Sequence, residues 1–198
     1  MIQLFQIIIL ILSAVVHEYM HGWAAWRLGD NTAKDAGRLT LNPLAHLEWF
    51  GSFFLPLMMI IANTPFVFGW AKPVPYNPSN LRDRKYGDAK VALAGPLSNL
   101  ALAVFFGLIL RFMPTGYVSG NFLAVIVYIN LVLAIFNLIP IPPLDGSKII
   151  ATFLPPAARF RYLSYERFGL IFLILLLMLA GSFIWPAVDF LFRLIVGN

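Results

Sequence analysis

His17, Glu18 and His21 have the residue types and the spacing of a hydrolytic metal site. Histidines four apart on a helix lie one turn apart on the same face, where two imidazole nitrogens can reach one metal ion. In an H-E-x-x-H arrangement the histidines hold zinc. The glutamate between them takes a proton from the attacking water and later passes it to the leaving amine, which is the chemistry of peptide-bond hydrolysis. The chain has no cysteine, so any metal must be held by nitrogen and oxygen ligands. A pattern with three fixed positions arises by chance in long chains, and its weight depends on the element that carries it. The plain alternative is a histidine pair that only hydrogen-bonds to neighbouring helices.

The carrying element runs from the N-terminus to about Trp26 and is uncharged up to Glu18. At about 1.5 Å per residue, some 25 residues can cross roughly 30 Å of hydrocarbon. The competing reading, a secretory signal peptide, lacks a basic stretch before the apolar run and a small-x-small cleavage site after it. Ionisable side chains inside a membrane helix are costly, and they read as functional by default. Composition agrees: the chain is 60% hydrophobic and 12% charged, with a mean hydropathy of +0.81. The net charge of +5 does not point to nucleic acid, because the basic residues sit in loops between apolar spans, where membrane orientation accounts for them. At 198 residues one domain over 1–198 is expected, with no internal repeat.

Four apolar stretches are long enough to span: the first helix, about 89–112, about 122–139, and about 168–185. A fifth, 49–70, is interrupted by Pro56, Asn63 and Pro65 and reads as re-entrant or partial. Between the first helix and that segment, the alternation Arg38-Leu39-Thr40-Leu41 beside Gly37 and Asn42-Pro43 suggests a small β-hairpin-like element near 37–43, or else a plain loop. The expected fold class is therefore an all-α polytopic membrane protein with four full transmembrane helices, one partial segment and that small element.

The span ending at Ile139 runs into Pro140-Ile141-Pro142-Pro143-Leu144-Asp145-Gly146. Three prolines in four residues must break the helix and free its last carbonyls, which is tolerated at membrane depth only beside protein or a cavity. Asp145 then stands on irregular backbone as an oxygen ligand, which would complete a His17, His21, Asp145 set with one position open. It could equally be a helix N-cap, and the two roles are compatible. Asn137, about two turns before it, could stabilise the oxyanion of a tetrahedral intermediate. Asn99, in Gly95-Pro96-Leu97-Ser98-Asn99, reads either as interhelical glue or as adjacent to the site. The third histidine, His46, has no partner at ligand spacing and reads as structural or as lying near the site mouth.

Three motifs in order, His17-Glu18-x-x-His21, Gly95-Pro96-x-x-Asn99 and Asn137 through Leu144-Asp145-Gly146, give the chain a resemblance to the site-2 proteases. These are membrane-embedded zinc metallopeptidases that cleave transmembrane substrates, and the small bacterial and archaeal type without a PDZ domain is the better match. The resemblance implies one catalytic zinc held by His17, His21 and Asp145, Glu18 as base, and Asn137 near the scissile bond. It also implies a transmembrane protein or peptide as substrate, and a place in a prokaryotic cell membrane. The stretch Phe68-Gly69-Trp70-Ala71-Lys72-Pro73-Val74-Pro75 looks like a signature of the small subgroup and has no evident chemical role. Two rival readings are an ion or metal transporter that uses the intramembrane His, Glu and Asp cluster, and a catalytically silent binder of membrane segments. Transporters usually show repeated halves, which this chain lacks.

Topology follows from the metal. If His17 and Asp145 share one ion, the ends of the first helix and of the 122–139 span face the same side, so 49–70 cannot cross once. That arrangement puts 12 of the 14 basic residues on one side, against 9 with a crossing. The positive-inside rule then gives an outside N-terminus and a site toward the cytoplasm.

Overall fold

The computed structural model describes residues 2–62, 72–113 and 118–197. It is a bundle of long helices joined by short ones. Among the described residues, three helices are long and apolar enough to cross a membrane: α1 (Ile2–Arg27), α5 (Gly87–Arg111), and α6 (Val118–Asn137) over Gly120–Asn137. Their most apolar windows are only 17%, 28% and 28% buried inside the protein, so most of that surface is left for lipid rather than for a core.

Side-chain pairs give the register. Phe5 meets Phe122 at 4.7 Å between ring centroids, and Ser13 meets Asn130, so α1 and α6 run parallel. His21 meets Val91 and His17 meets Asn99, so α5 runs antiparallel to both. The last helix, α9 (Gly169–Val196), starts against Pro143. It passes Tyr128, which stacks on Phe192 at 4.3 Å, and ends where the Arg111 guanidinium donates to the Ile195 carbonyl. It is thus antiparallel to α6 and as long as the bundle. Ala103, Val127, Leu131, Phe136, Leu144, Ile184 and Val188 form the core between α5, α6 and α9.

Between α1 and α5 lie α2 (Thr32–Asp35), α3 (Pro43–His46), a π-helical turn Trp49–Phe54 and α4 (Leu55–Ile61). The described helical part of the 49–70 segment is 13 residues (Trp49–Ile61), about 20 Å at most and too short to cross. The rest of that segment lies outside the described residues, as does the Phe68–Ala71 part of the signature. No strand forms among the described residues, so the hairpin-like element expected near 37–43 is absent. Four alternating residues find no partner strand. Instead Asn42 accepts from the Leu44 amide and Pro43 occupies the first helical position, which together nucleate α3.

The loops on either side of the 49–70 segment meet at one end of the bundle. The Arg82 amide donates to the Leu28 carbonyl at 2.8 Å, and buried Asp30 accepts from the Asn77 amide at 2.7 Å and the Asn80 side chain at 2.8 Å. After α6 the proline run leads into α7 (Asp145–Ala151), α8 (Pro156–Leu163) and a 3-10 turn, Ser164–Phe168.

Candidate metal centre

Helix periodicity in α1 sets His17 and His21 edge to face, 4.6 Å between ring centroids, and both are buried. Asp145 arrives from the first turn of α7. Its Oδ2 lies 3.1 Å from His17 Nε2 and 3.1 Å from His21 Nε2. That placement depends on Gly146, where a Cβ would collide with the Leu138 carbonyl oxygen at the broken end of α6. The helix break read in the proline run is therefore a fold-back that presses α7 onto the end of α6.

The other ring nitrogens face acceptors. His21 Nδ1 lies 2.8 Å from the Val91 carbonyl oxygen, which can only accept, so Nδ1 carries a proton and Nε2 of the neutral ring presents a lone pair. His17 Nδ1 lies 2.6 Å from Asn99 Oδ1. With both rings in this tautomer, two nitrogen lone pairs and a carboxylate oxygen converge with no proton between them. Three such donors repel one another unless a cation sits among them.

Spacing agrees. Ligands about 2.0 Å from a tetrahedral zinc are roughly 3.3 Å apart, close to the 3.1 Å found here. Across from the rings stands Gly95 of α5, where a Cβ would lie 2.5 Å from His21 Nε2 and 2.6 Å from His17 Nε2. Only a residue without a side chain keeps the space in front of both nitrogens open. The donor set of imidazole, imidazole and carboxylate suits zinc. Ligand atoms of His17, Glu18 and His21 all lie within 4.8 Å of one another.

Glu18 is half-buried, and its Oε2 accepts from the Val74 amide at 2.8 Å. Residues 72–77 form an extended strap over this end of α1. Gly22 lets it approach, since a Cβ there would lie 2.8 Å from Val74 Cγ1. The Lys72 amide donates to the His46 carbonyl, Arg38 donates to the Lys72 carbonyl, and Asn77 is held by Asp30. Tyr76 donates to Asp88, which pairs with Arg159 at 2.7 Å. Burial pushes the Tyr76 phenol up, and the Asp88 charge pushes it further, so it remains a donor. Burial alone would raise Asp30. Donors from Thr32, Asn77 and Asn80 favour its ionised form and hold it below the usual carboxylate range.

The structure thus brings together His17, Glu18, His21, Asp145 and Asn99. The Asn137 amide nitrogen donates to the Leu133 carbonyl of its own helix at 2.9 Å rather than to any of these side chains. His46 is fully buried and bonds through Nε2 to the Thr40 carbonyl oxygen at 2.7 Å, away from the other two histidines. Gly95 and Val74 escaped the sequence reading as site residues, because interhelical register and strap placement are tertiary. Buried Ser13 and Asn130 also went unread, although a polar residue within an apolar span is itself a signal.

A curated relative named "Putative zinc metalloprotease YwhC", from Bacillus subtilis (strain 168), is 39% identical over 92% of this chain and 85% of its own length. The chain belongs to peptidase family M50, the site-2 proteases. The description of that family, Peptidase family M50, matches residues 113–180, the stretch that holds Asn137 and Asp145. "Putative zinc metalloprotease Rip2" of Mycolicibacterium smegmatis is 31% identical over 85% of this chain, which covers 64% of that relative. No solved structure matches the chain. In this M50 peptidase a helical His-Glu-His group converges with an aspartate from the first turn of α7.

Proposed function

We propose that this M50 peptidase is an intramembrane zinc metalloprotease that hydrolyses peptide bonds of transmembrane or membrane-associated substrates. The observation that carries the reading is the meeting of His17 Nε2, His21 Nε2 and Asp145 Oδ2 within 3.1 Å contacts, in front of a glycine whose Cβ would fill the gap. These three residues would hold the ion. When bound, zinc supplies a Lewis acid that polarises the scissile carbonyl and makes water nucleophilic at neutral pH.

The remaining chemistry belongs to the chain. Glu18, next to His17 on the same turn, takes the proton from the attacking water and delivers it to the leaving amine. The Val74 amide, bonded to Oε2, fixes the carboxylate's rotation and leaves Oε1 for the water. Asn137 donates its amide to the developing oxyanion, which requires its side chain to turn from the Leu133 carbonyl. The bundle walls keep bulk water from the site, so each of these interactions acts in a low dielectric.

Four full spans, α1, α5, α6 and α9, with 49–70 re-entrant, make the topology consistent. The 28–46 and 72–82 loops are hydrogen-bonded to each other, which supports their lying on one side, and the basic residues support that side being cytoplasmic. The test is cleavage of a model transmembrane substrate by the purified protein in liposomes. Cleavage that stops on chelation and returns with zinc is expected. A zinc-replete protein that cleaves no membrane substrate but conducts ions would overturn the reading in favour of a transporter.

A further inference from the structure

Behind His17 lies a chain of buried polar groups that nothing in the proposed reaction uses. Asn99 is 0% and Asn130 1% exposed, and Ser13 is buried beside them. Asn99 Nδ2 lies 3.2 Å from the Ser13 carbonyl oxygen and 2.9 Å from Asn130 Oδ1. Asn130 Nδ2 lies 2.9 Å from the Ile126 carbonyl oxygen and 3.0 Å from Ser13 Oγ.

The direction of every bond in this chain is forced. The Ile126 carbonyl oxygen can only accept, so the nitrogen end of the Asn130 amide must face it, and Oδ1 must face Asn99. Asn99 is then bound twice to acceptors, Asn130 Oδ1 and the Ser13 carbonyl oxygen, so its own nitrogen faces them. Its Oδ1 is left toward His17 and can only accept. His17 must therefore carry a proton on Nδ1, and as a neutral ring it presents its Nε2 lone pair toward Asp145. At His21 one backbone carbonyl does this directly. At His17 the same instruction passes through two side-chain amides.

We propose that Asn130 is a positioning residue for the metal centre: it orients the Asn99 amide, which fixes the tautomer and the ring plane of His17. The inference rests on the zinc reading above. Without Asn130 the Asn99 amide loses one of its two acceptors, and its oxygen can turn away from the ring. His17 is then free to take the other tautomer, which puts a proton on the nitrogen that must bind the ion. Partners of this kind, one bond behind a ligand, are worth about 10–100-fold in metal affinity.

The test is the zinc dissociation constant of the full-length protein in detergent, measured by chelator competition on monodisperse, helical material, together with the visible spectrum of the cobalt-loaded form. Asn130→Leu, close in volume but with no polar atoms, should bind zinc about 10–100-fold more weakly and shift the cobalt bands. Asn130→Asp, kept protonated by burial and so still one acceptor and one donor, should restore the affinity to within about threefold. Equal zinc affinity and spectra for wild type and Asn130→Leu would overturn the proposal and leave Asn130 as packing between helices. If the wild type itself binds no zinc, the metal reading fails instead. Should Asn130→Leu not fold, zinc-loaded wild type with 15N-labelled histidines decides the matter. A His17 proton on Nδ1 supports the proposal, and metal on Nδ1 with the proton on Nε2 overturns it.

Discussion

Gly95 tests the site from the side opposite the histidines. Its missing side chain leaves open the volume in front of both Nε2 atoms, which lie 2.5 and 2.6 Å from where a Cβ would sit. Neither ring can retreat, since each is bonded through Nδ1 to a buried acceptor. Gly95→Ala should therefore weaken zinc binding on the order of 10–100-fold, as displacement of a ligand's surroundings does, with little loss of helix, because alanine favours the helical state. Zinc titration and circular dichroism on the same sample check both halves. Asn137→Ala should keep zinc and lose about 10²-fold in cleavage rate, the usual loss for one oxyanion donor, and a full-rate variant would remove Asn137 from the reaction. The His-Glu-His group could be read in the sequence, because helix periodicity alone brings residues 17 and 21 together. Asp145 could be read because the prolines before it can only break a helix. The apposition of Gly95 with both rings could not, because it depends on the register of α5 against α1, which no local pattern encodes.

The strap of residues 72–77 is the element that ties the proposed base to the rest of the fold. Its target, Glu18, was not legible, since one backbone amide among many leaves no trace in a sequence. The strap's far end is held by Asp30, whose carboxylate accepts from Thr32, Asn77 and Asn80. Because these donors lower the folded pKa below its unfolded value, the stabilisation is complete above the unfolded pKa of about 3.9. It is lost as pH falls from there through the folded pKa. Hydrogen exchange of the Asn77–Arg82 amides should accordingly speed up as pH drops below about 4, after correction for intrinsic rates, and Asp30→Asn should show raised exchange already at neutral pH. Unchanged exchange in Asp30→Asn would mean that the strap is held elsewhere. The hairpin-like element near 37–43 misled because a four-residue alternation specifies a strand only when a partner edge exists. Here a capped proline helix forms instead.

The whole molecule is a bundle with two ends, and the proposed site lies at one of them. The C-terminal ends of α1 and α6 and the start of α7 meet there, and the interhelix loops that carry most of the basic residues are bonded together at the same end. Three of the four apolar spans expected from the sequence reappear as long apolar helices among the described residues. The direction of α9, from Pro143 to Ile195, needed the contacts at its two ends. With no native cysteine, single cysteines at Thr40 and Asn80 can be labelled from each side of the membrane. Both should react from the cytoplasmic side, whereas opposite accessibility would mean that the 49–70 segment crosses.

The central claim is that the convergent histidines and aspartate hold zinc while Glu18 alone moves the proton. The most direct measurement is zinc content and cleavage of a transmembrane substrate by Glu18→Gln beside the wild type. The substitution keeps the side chain's size and an oxygen for the Val74 amide, and removes only basicity. The account predicts full zinc occupancy with cleavage abolished, and a zinc-loaded Glu18→Gln protein that cleaves at the wild-type rate would contradict it.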